Sequence, residues 1–143
     1  FSILKEEKDF VLIDDYAHHP EEIKATVSAA REAYKDHKLI VIFQPHQHSR
    51  TRFLLEEFAW SLSEADVSIV PDIYFVRDSQ MIDEEVTSLD LVKAIRARGA
   101  EAHFIADMAD VPAQLGTLVS GPTVCFLMGA GDIWKLGEKI CVN

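Results

Sequence analysis

Short apolar runs alternate with helical patterns along most of the chain. Five runs have the length and β-branched content of buried strands, at residues 10–13, 39–43, 67–70, 103–106 and 124–128. Between them, apolar residues recur at the three- and four-residue spacing of helices that are apolar on one face. Strands that alternate with helices predict βαβ units, a mostly parallel sheet and helices on both of its faces.

Five helices are predicted. The first begins at Pro20, because proline suits the first position of a helix and the acids at 21 and 22 suit its positive end. The others are expected to follow Arg52, to begin at an N-cap Ser88 and end at Gly99, to cover Val111 to Leu118, and to begin near Asp132. Their inward apolar residues are predicted to include Ile23, Val27, Ala30, Tyr34, Leu54, Phe58, Leu62, Ala65, Leu91, Ile95, Leu115, Ile133, Leu136 and Ile140.

The start of the chain predicts a hairpin. Residues 1–4 and 10–13 flank a charged stretch at 5–9, so the first strand is expected to add an antiparallel edge to the sheet. The fold class is therefore α/β, a three-layer domain with a sheet of about six strands. Residues 72–87 are acidic and have no clear period, which predicts a surface loop.

Composition narrows the classes of partner. The 143 residues fit one domain, and 14 basic against 24 acidic residues give a net charge of -10. Such a charge disfavours nucleic acid and anionic lipid as partners. The apolar runs are too short for a membrane span and no signal peptide is evident, so we expect a cytoplasmic protein. Since residue 1 is Phe rather than Met, we expect a cut within a longer chain. Two cysteines without metal spacing are expected to be reduced packing residues.

A polar cluster follows the predicted strand at residues 10–13. Ligands of open α/β sheets bind at the carboxyl ends of strands, so this is a candidate site. Its residues are Asp14, Asp15, Tyr16, His18 and His19.

A second polar cluster follows the strand at residues 39–43. It includes His46, Gln47, His48, Arg50 and Arg52. Arginine suits a carboxylate or phosphate ligand, although Arg50 and Arg52 could instead pair with the surface acids Glu56 and Glu57. Two polar clusters that end adjacent strands favour a shared site.

A glycine-containing turn after the last predicted strand is a third candidate site. Gly129, Gly131 and Asp132 lie between the last predicted strand and the last helix. They predict either an ordinary tight turn with Asp132 as N-cap, or backbone amides that bind an anion. Residues 116–121 have P-loop spacing but lack the lysine that follows, so we treat that match as coincidence. The histidines lack the i,i+4 spacing of ligand pairs, and no metal site is predicted.

Three motifs, taken together, resemble those of one enzyme family. They are Ile-Asp-Asp-Tyr-Ala-His-His-Pro-Glu-Glu-Ile at 13–23, Gln-Pro-His at 44–46 with Ser-Arg-Thr-Arg at 49–52, and Met-Gly-Ala-Gly-Asp-Ile at 128–133. Over nearly its whole length the chain resembles the C-terminal, Rossmann-like domain of the Mur ligases, the ATP-dependent amide-forming enzymes of peptidoglycan precursor synthesis. Within the family it is most similar to the branch that joins L-alanine to UDP-N-acetylmuramate.

The resemblance implies two further domains outside residues 1–143, one for the UDP-sugar and a central ATPase. In the family, ATP phosphorylates the substrate carboxylate and the amine of L-alanine attacks the acyl phosphate, while the C-terminal domain closes over the central one. The implied cofactors of the full-length enzyme are ATP and Mg²⁺, with none bound by this domain alone. The implied partners are UDP-N-acetylmuramate, L-alanine, ATP and the other domains, and the isolated domain is expected to be inactive.

The resemblance also implies roles for individual residues. His18 and Arg50 would be catalytic. The family usually has arginine where this chain has Gln47, and an aromatic hydroxyl where it has His48. Either Arg50 and Arg52 take over the role of that arginine, or the amino acid is expected to bind more weakly or with different tuning. Residues implied to bind substrate or nucleotide are Asp15, Tyr16, His46, Gln47, Arg52, Gly129, Gly131 and Asp132.

Three alternatives remain open from the sequence. One is another Mur ligase with a different amino acid or peptide substrate. A second is a receiver-like signalling module, with Asp14 and Asp15 as its acidic pair and Asp72 as phosphoacceptor, although Gly129 lies near where a receiver needs lysine. The third is a nucleotide- or amino-acid-binding module without catalysis.

Overall fold

The computed structural model describes residues 2–45, 54–72, 88–129 and 131–141. Six strands are β1 Ser2–Glu7, β2 Phe10–Asp15, β3 Lys38–Phe43, β4 Val67–Pro71, β5 Glu101–Ile105 and β6 Thr123–Met128. The helices are α1 Pro20–Ala33, α2 Leu55–Leu62, α3 Ser88–Ala97, α4 Val111–Leu118 and α5 Leu136–Cys141. Short 3₁₀ turns, Met108–Asp110 and Ile133–Lys135, precede α4 and α5. None of the helices in these ranges has the length and apolar character that crossing a bilayer requires.

The strands form one mixed sheet in the order β1-β2-β6-β3-β4-β5. β1 pairs antiparallel with β2, and every other neighbouring pair is parallel. This confirms the predicted six-stranded, mostly parallel sheet with one antiparallel edge strand. β1 extends to Glu7, so the turn of the hairpin is shorter than the charged stretch indicated.

Helices cover both faces of the sheet. On one face, α1, α2 and α3 pack through Ile23, Phe58 and Leu91 onto residues of β2 to β6. On the other face, α4 and α5 pack through Leu115 and Leu136. Alternate residues of each strand therefore belong to different cores, as the two-residue period of a strand requires.

The neighbours of β2 differ from the prediction. The expectation that β2 and β3 are adjacent strands is wrong, because β6 lies between them and pairs with both. The connection from β2 through α1 to β3 leaves room for one strand between them, and β6 occupies that position. Consequently the turn after β6 lies between the ends of β2 and β3.

Most helix boundaries agree with the capping signals. α1 begins at Pro20 with His19 as its N-cap, and Gly99, with φ +87°, follows the end of α3. Ser88 is wrong as an N-cap: it is the first helical residue of α3, and its hydroxyl donates to the carbonyl oxygen of Pro71 at 2.5 Å. The predicted surface loop lies outside the described residues beyond Asp72.

Candidate functional site

Three strands end side by side at the carboxyl edge of the sheet. Met128 of β6 is in register with Asp15 of β2 on one side and with Phe43 of β3 on the other. The chain leaves β2 toward the face of α1 but leaves β6 toward the face of α5. Crevices between strands whose connections leave in opposite directions are where open α/β sheets bind ligands.

Asp15 holds the segment between β2 and α1. Its Oδ1 accepts a hydrogen bond from the N–H of Ala17 at 2.9 Å, and its Oδ2 accepts one from Oγ1 of Thr26 at 2.9 Å. One carboxylate thus joins the end of the strand, the turn and the second turn of the helix. Because each carboxylate oxygen has two lone pairs, the half-buried group keeps capacity for a ligand donor.

Asp14 has a different environment from that of Asp15. By alternation along the strand it belongs to the face of α4 and α5, level with Leu127 of β6. Partial burial raises the pKa of the Asp14 carboxyl above its ordinary value, and the nearby charge of Asp15 adds to this effect. Asp14 is therefore easier to protonate than an exposed aspartate.

His18 has a defined arrangement of its ring nitrogens. Nδ1 lies 3.1 Å from the carbonyl oxygen of Tyr16, and a carbonyl oxygen only accepts hydrogen bonds. The neutral ring that makes this bond carries its hydrogen on Nδ1 and leaves the lone pair on Nε2. The Tyr16 ring, 68% exposed, lies edge-on to the imidazole with ring centroids 5.3 Å apart. The turn thus presents an aromatic surface beside a nitrogen that can accept a proton.

The start of α1 fixes the backbone of this turn. Oε1 of Glu22 accepts hydrogen bonds from the N–H groups of His18 and His19, each at 3.2 Å, and Nδ1 of His19 accepts from the N–H of Glu21 at 3.3 Å. This reciprocal pattern is a capping box. The hydrogen bond from His18 is the main reason that the pKa of Glu22 lies below its ordinary value. His19 therefore has a capping role, whereas the ring of His18 contacts the carbonyl oxygen of Tyr16.

Gly129 passes very close to the end of β3. Its φ is +140°, and a Cβ at this position would lie 2.8 Å from the backbone oxygen of Gln44. The N–H of Gln44 donates to the carbonyl oxygen of Met128 at 3.1 Å, and its side-chain Nε2 lies 3.5 Å from the carbonyl oxygen of Asp72. Gln44 is 5% exposed. It thus connects the carboxyl ends of β6, β3 and β4.

The rest of the glycine turn is half-buried. Gly131 and Asp132 precede the 3₁₀ turn Ile133–Lys135, and Asp132 occupies its N-cap position without a side-chain capping bond. α5 follows and is six residues long. The predicted N-cap position of Asp132 is confirmed, although its side chain makes no capping hydrogen bond. The alternative prediction of an anion site has no support from a long helix terminus.

The structure brings together about half of the predicted site. Asp15, Tyr16 and His18 follow β2, while Gly129, Gly131 and Asp132 follow its neighbour β6. The other predicted site residues lie outside the described part of the chain, and they are His46, Gln47, Arg50 and Arg52. Within the described ranges, no three His, Cys, Asp or Glu side chains group as ligands of a metal ion.

Two contributors were missed from the sequence. Thr26 is at a helix position with no motif around it, and nothing local indicates that it bonds to Asp15. Gln44 directly follows an apolar run. A buried polar residue at this position indicates a contact at the end of the strand. Both contacts join parts of the chain that are far apart in sequence.

Comparison with known proteins gives one consistent result. A family model described as "Mur ligase, glutamate ligase domain" matches residues 1–131. A protein of Chlorobium chlorochromatii named UDP-N-acetylmuramate--L-alanine ligase is 41% identical over 133 residues, which are 92% of this chain and 28% of that protein. A protein of Sorangium cellulosum with the same name is 45% identical over 125 residues, 85% of this chain and 26% of that protein.

Solved structures give the same fold. The UDP-N-acetylmuramate-alanine ligase of Thermotoga maritima superposes with a TM-score of 0.80 at 29% identity, covering 99% of this chain and 29% of that one. A domain from Haemophilus ducreyi, described as from a "UDP-N-acetylmuramate:L-alanyl-gamma-D-glutamyl-medo-diaminopimelate ligase", superposes with a TM-score of 0.66 at 18% identity. The match covers 99% of this chain and 94% of that one, and it shows a similar fold. The chain spans less than a third of the length of the curated relatives it matches.

Proposed function

The chain belongs to the Mur ligase family, matching its glutamate ligase domain, and from this premise we propose that it is the C-terminal domain of an ATP-dependent ligase that adds L-alanine to UDP-N-acetylmuramate. The observation that supports the proposal is the carboxyl edge of the sheet, where Asp15 is level with Met128, the residue before Gly129, in a chain 41% identical to a relative of that name. The other two domains, for the UDP-sugar and for ATP, would complete the site.

In the full-length enzyme, ATP with Mg²⁺ would supply the phosphoryl group that activates the carboxylate of the sugar substrate. The described residues fit a flanking role toward such a group better than a cradle, because Gly129 is packed against Gln44 and the short α5 offers no phosphate-binding terminus. We therefore infer that ATP binds mainly on the central domain. The isolated domain is accordingly expected to form no amide and to hydrolyse no ATP.

His18 is proposed to act on the incoming amine. An amino acid reaches the site as an ammonium ion and must lose a proton before its nitrogen can attack. Nε2 of His18 has the lone pair to accept that proton, because Nδ1 is used on the carbonyl oxygen of Tyr16. Asp15 positions the turn that carries His18, and the exposed Tyr16 ring would pack against the nucleotide or substrate. Closure of the domain would bring these groups to the acyl phosphate and exclude water.

The second cluster is proposed to hold the amino acid. The guanidinium of Arg50 would pair with the carboxylate of L-alanine or with charge at the acyl phosphate, and Arg52 and His46 would line the same pocket. Gly129, Gly131 and Asp132 would form the wall on the side of β6. Since β6 separates β2 from β3, this turn lies between the carboxyl ends of β2 and β3.

Gln47 supports one alternative within the family. A neutral amide cannot replace the charge of the arginine expected there, so a ligase for a different amino acid or for a peptide is the second candidate. The receiver module is set aside, because the chain belongs to the Mur ligases.

The test uses the full-length protein. Phosphate release would be measured with UDP-N-acetylmuramate and ATP, and with L-alanine, glycine, L-serine or a peptide as acceptor. We expect the highest kcat/KM with L-alanine, and a higher value with another acceptor would favour the alternative. Arg50→Ala should mainly raise the KM for the amino acid, and His18→Asn should mainly lower kcat.

Two matched controls test the assignment of these side chains. Arg98→Ala removes a surface ion pair with Glu56, and His103→Asn changes a histidine on the edge strand β5. Both should leave the kinetics unchanged. Equal effects of Arg50→Ala and Arg98→Ala, or of the two histidine changes, would contradict the proposed roles.

A further inference from the structure

Gln44 is a buried polar residue at the carboxyl edge of the sheet. It directly follows β3, the strand that lies between β6 and β4, and only 5% of it is exposed. Its neighbours along this edge are Gly129, which follows β6, and Asp72, which follows β4. Gln44 is thus in the middle of three strands that end together.

The main chain of Gln44 is held against β6. Its N–H donates to the carbonyl oxygen of Met128 at 3.1 Å. Gly129 passes so close that a Cβ there would lie 2.8 Å from the backbone oxygen of Gln44 and 3.6 Å from its Cβ. The side chain of Gln44 therefore starts from a main chain that has little room to move relative to the glycine turn.

The amide of Gln44 reaches the end of β4. Nε2 lies 3.5 Å from the carbonyl oxygen of Asp72, which makes a long hydrogen bond. Because a carbonyl oxygen only accepts, the amide turns its nitrogen toward Asp72 and its oxygen away. Within the part of the chain that the structure describes, this buried Oε1 has no hydrogen-bond partner. A buried acceptor without a donor lowers stability, so stability alone does not explain an amide at this position.

The place of this oxygen in the fold indicates a role in the site. In the described ranges, two other buried side-chain atoms have no partner, Nδ1 of His37 and Oγ of Ser68. His37 precedes β3 at the opposite edge of the sheet, and Ser68 lies within β4, level with Val41. Of the three, Gln44 is the one at the edge that carries the candidate site. Departures from good hydrogen bonding are typical of functional sites.

We propose that Gln44 is a positioning residue for the amino-acid pocket, an inference that rests on the proposed function. Its main chain and its amide tie the exit of β3 to the exits of β6 and β4. Because its side chain is buried, it acts on the amino acid through the residues that follow it in the sequence, above all Arg50. The wall of the pocket at the glycine turn and the guanidinium of Arg50 are thereby held in one arrangement.

The experiment replaces Gln44 by methionine in the full-length ligase. Methionine has a similar volume and flexibility but neither the amide donor nor the unpartnered oxygen. We measure kcat and the KM values for the amino acid, ATP and the UDP-sugar. Hydrogen exchange of the peptides that cover β3 and β6 reports the local stability of the domain within the whole enzyme.

We expect Gln44→Met to separate catalysis from stability. The KM for the amino acid should rise at least about tenfold, because a small displacement of a binding group has a large effect. The KM values for ATP and the UDP-sugar should stay unchanged. Hydrogen exchange in β3 and β6 should be unchanged or slower, because the unsatisfied oxygen is gone.

Two further variants separate reach from polarity. Gln44→Asn keeps the amide but is one methylene group shorter, so it cannot span the same distance to Asp72, and the KM for the amino acid should rise as in Gln44→Met. Ser68→Ala is the matched control, because it also removes a buried polar atom that has no partner in the described residues, and it should leave all three KM values unchanged.

A wild-type KM for the amino acid in either Gln44 variant would overturn the proposal. So would equal rises of all three KM values, or faster exchange across β3 and β6 in Gln44→Met, since both results indicate a purely structural role. Failure of that variant to fold would count in the same way.

The amino acid used is the one with the highest kcat/KM in the wild-type enzyme, so the two proposals are tested separately. A preference for another amino acid would contradict only the proposed substrate. An L-alanine ligase whose kinetics do not respond to the Gln44 variants would contradict only the role of Gln44.

Discussion

Thr26 of α1 donates its hydroxyl hydrogen to Oδ2 of Asp15 at 2.9 Å, across eleven residues of sequence. The other oxygen of the carboxylate accepts from the N–H of Ala17, so Asp15 is held from two sides. The turn that carries Tyr16 and His18 is therefore positioned by a helix residue outside the recognisable motif.

Replacement of Thr26 by valine should loosen this turn. Thr26→Val keeps the shape of the side chain but removes the donor, and we expect the free energy of unfolding of the domain to fall by about 1 kcal/mol. In the full-length enzyme kcat should fall more than KM rises, because the displaced group is His18. Thr26→Ser keeps the hydroxyl and is the control. Urea unfolding and steady-state kinetics measure the two effects, and equal behaviour of both variants would contradict the role of the hydrogen bond.

Gly129 should not tolerate a side chain. Gly129→Ala would place a Cβ 2.8 Å from the backbone oxygen of Gln44 at a φ of +140°, so β3 and β6 must shift. We expect a loss of at least about 2 kcal/mol in the free energy of unfolding, from backbone strain alone. Gly116→Ala, in α4 with nothing within 4 Å of the new methyl group, should instead gain up to about 1 kcal/mol. Chemical denaturation of both variants measures these changes in the free energy of unfolding. No loss of stability in Gly129→Ala would contradict the close approach of Gly129 to the backbone of Gln44.

Replacement of two buried serines by alanine should have different effects on the free energy of unfolding. Among the residues that the structure describes, the hydroxyl of Ser68 in β4 has no hydrogen-bond partner, whereas that of Ser88 donates to the carbonyl oxygen of Pro71. Ser68→Ala removes an unsatisfied polar group and should leave stability unchanged or raise it by up to about 1 kcal/mol. Ser88→Ala leaves a carbonyl without its donor and should cost about 1–2 kcal/mol. Thermal unfolding of the pair measures the difference, and equal losses would be inconsistent with the structure.

The carboxylate of Asp66 should make the free energy of unfolding depend on pH. Partial burial raises its pKa, but hydrogen bonds from Arg31 and from the N–H of Leu39 outweigh this and keep the pKa below its ordinary value of 3.8. A pKa that is lower in the folded state contributes stability above the unfolded value, and this contribution is lost as pH falls through the folded value. The coupling free energy between Asp66→Asn and Arg31→Gln should therefore be present at neutral pH and vanish well below pH 3.8. A double-mutant cycle at several pH values tests this, and a coupling that persists in acid would contradict it.

The imidazole of His18 should show the less common tautomer. Because Nδ1 donates to the carbonyl oxygen of Tyr16, the neutral ring should carry its hydrogen on Nδ1. Nitrogen chemical shifts of labelled protein distinguish the two tautomers. The exposed His19, whose Nδ1 accepts from the N–H of Glu21, should carry its hydrogen on Nε2 and serves as an internal comparison. The same tautomer at both residues would argue against this assignment.

Local patterns predicted the elements well. Apolar runs mark β2 to β6, and Pro20 with the acids that follow it marks the start of α1, because these preferences act within a few residues. Ser88 shows where local preference fails. The same hydroxyl that could cap a helix finds a carbonyl of β4 in the folded chain, and the tertiary contact prevails.

The order of the strands was less predictable. Hydrophobic runs show that β2 and β3 are buried but not which strand lies between them, because pairing joins residues far apart in the chain. The apolar character of the runs does not settle the order either, because every residue of both Thr123–Met128 and Val67–Pro71 is buried in the fold, as expected for strands with neighbours on both sides and helices on both faces. The position of the glycine turn between the ends of β2 and β3 was therefore not predictable from local patterns.

The central place of the last strand has a consequence for how the chain folds. Until β6 is available, the sheet is interrupted between β2 and β3, because β6 is the strand that pairs with both. Contacts of α1 with the segment after α2, such as that of Arg31 with Asp66, still join the two halves. During synthesis one cooperative sheet can therefore form only when the end of the domain is available. Loss of the residues from Thr123 onward would remove more than one strand's worth of pairing: it would divide the sheet into the β1-β2 hairpin and a β3-β4-β5 sheet, each with an unpaired edge.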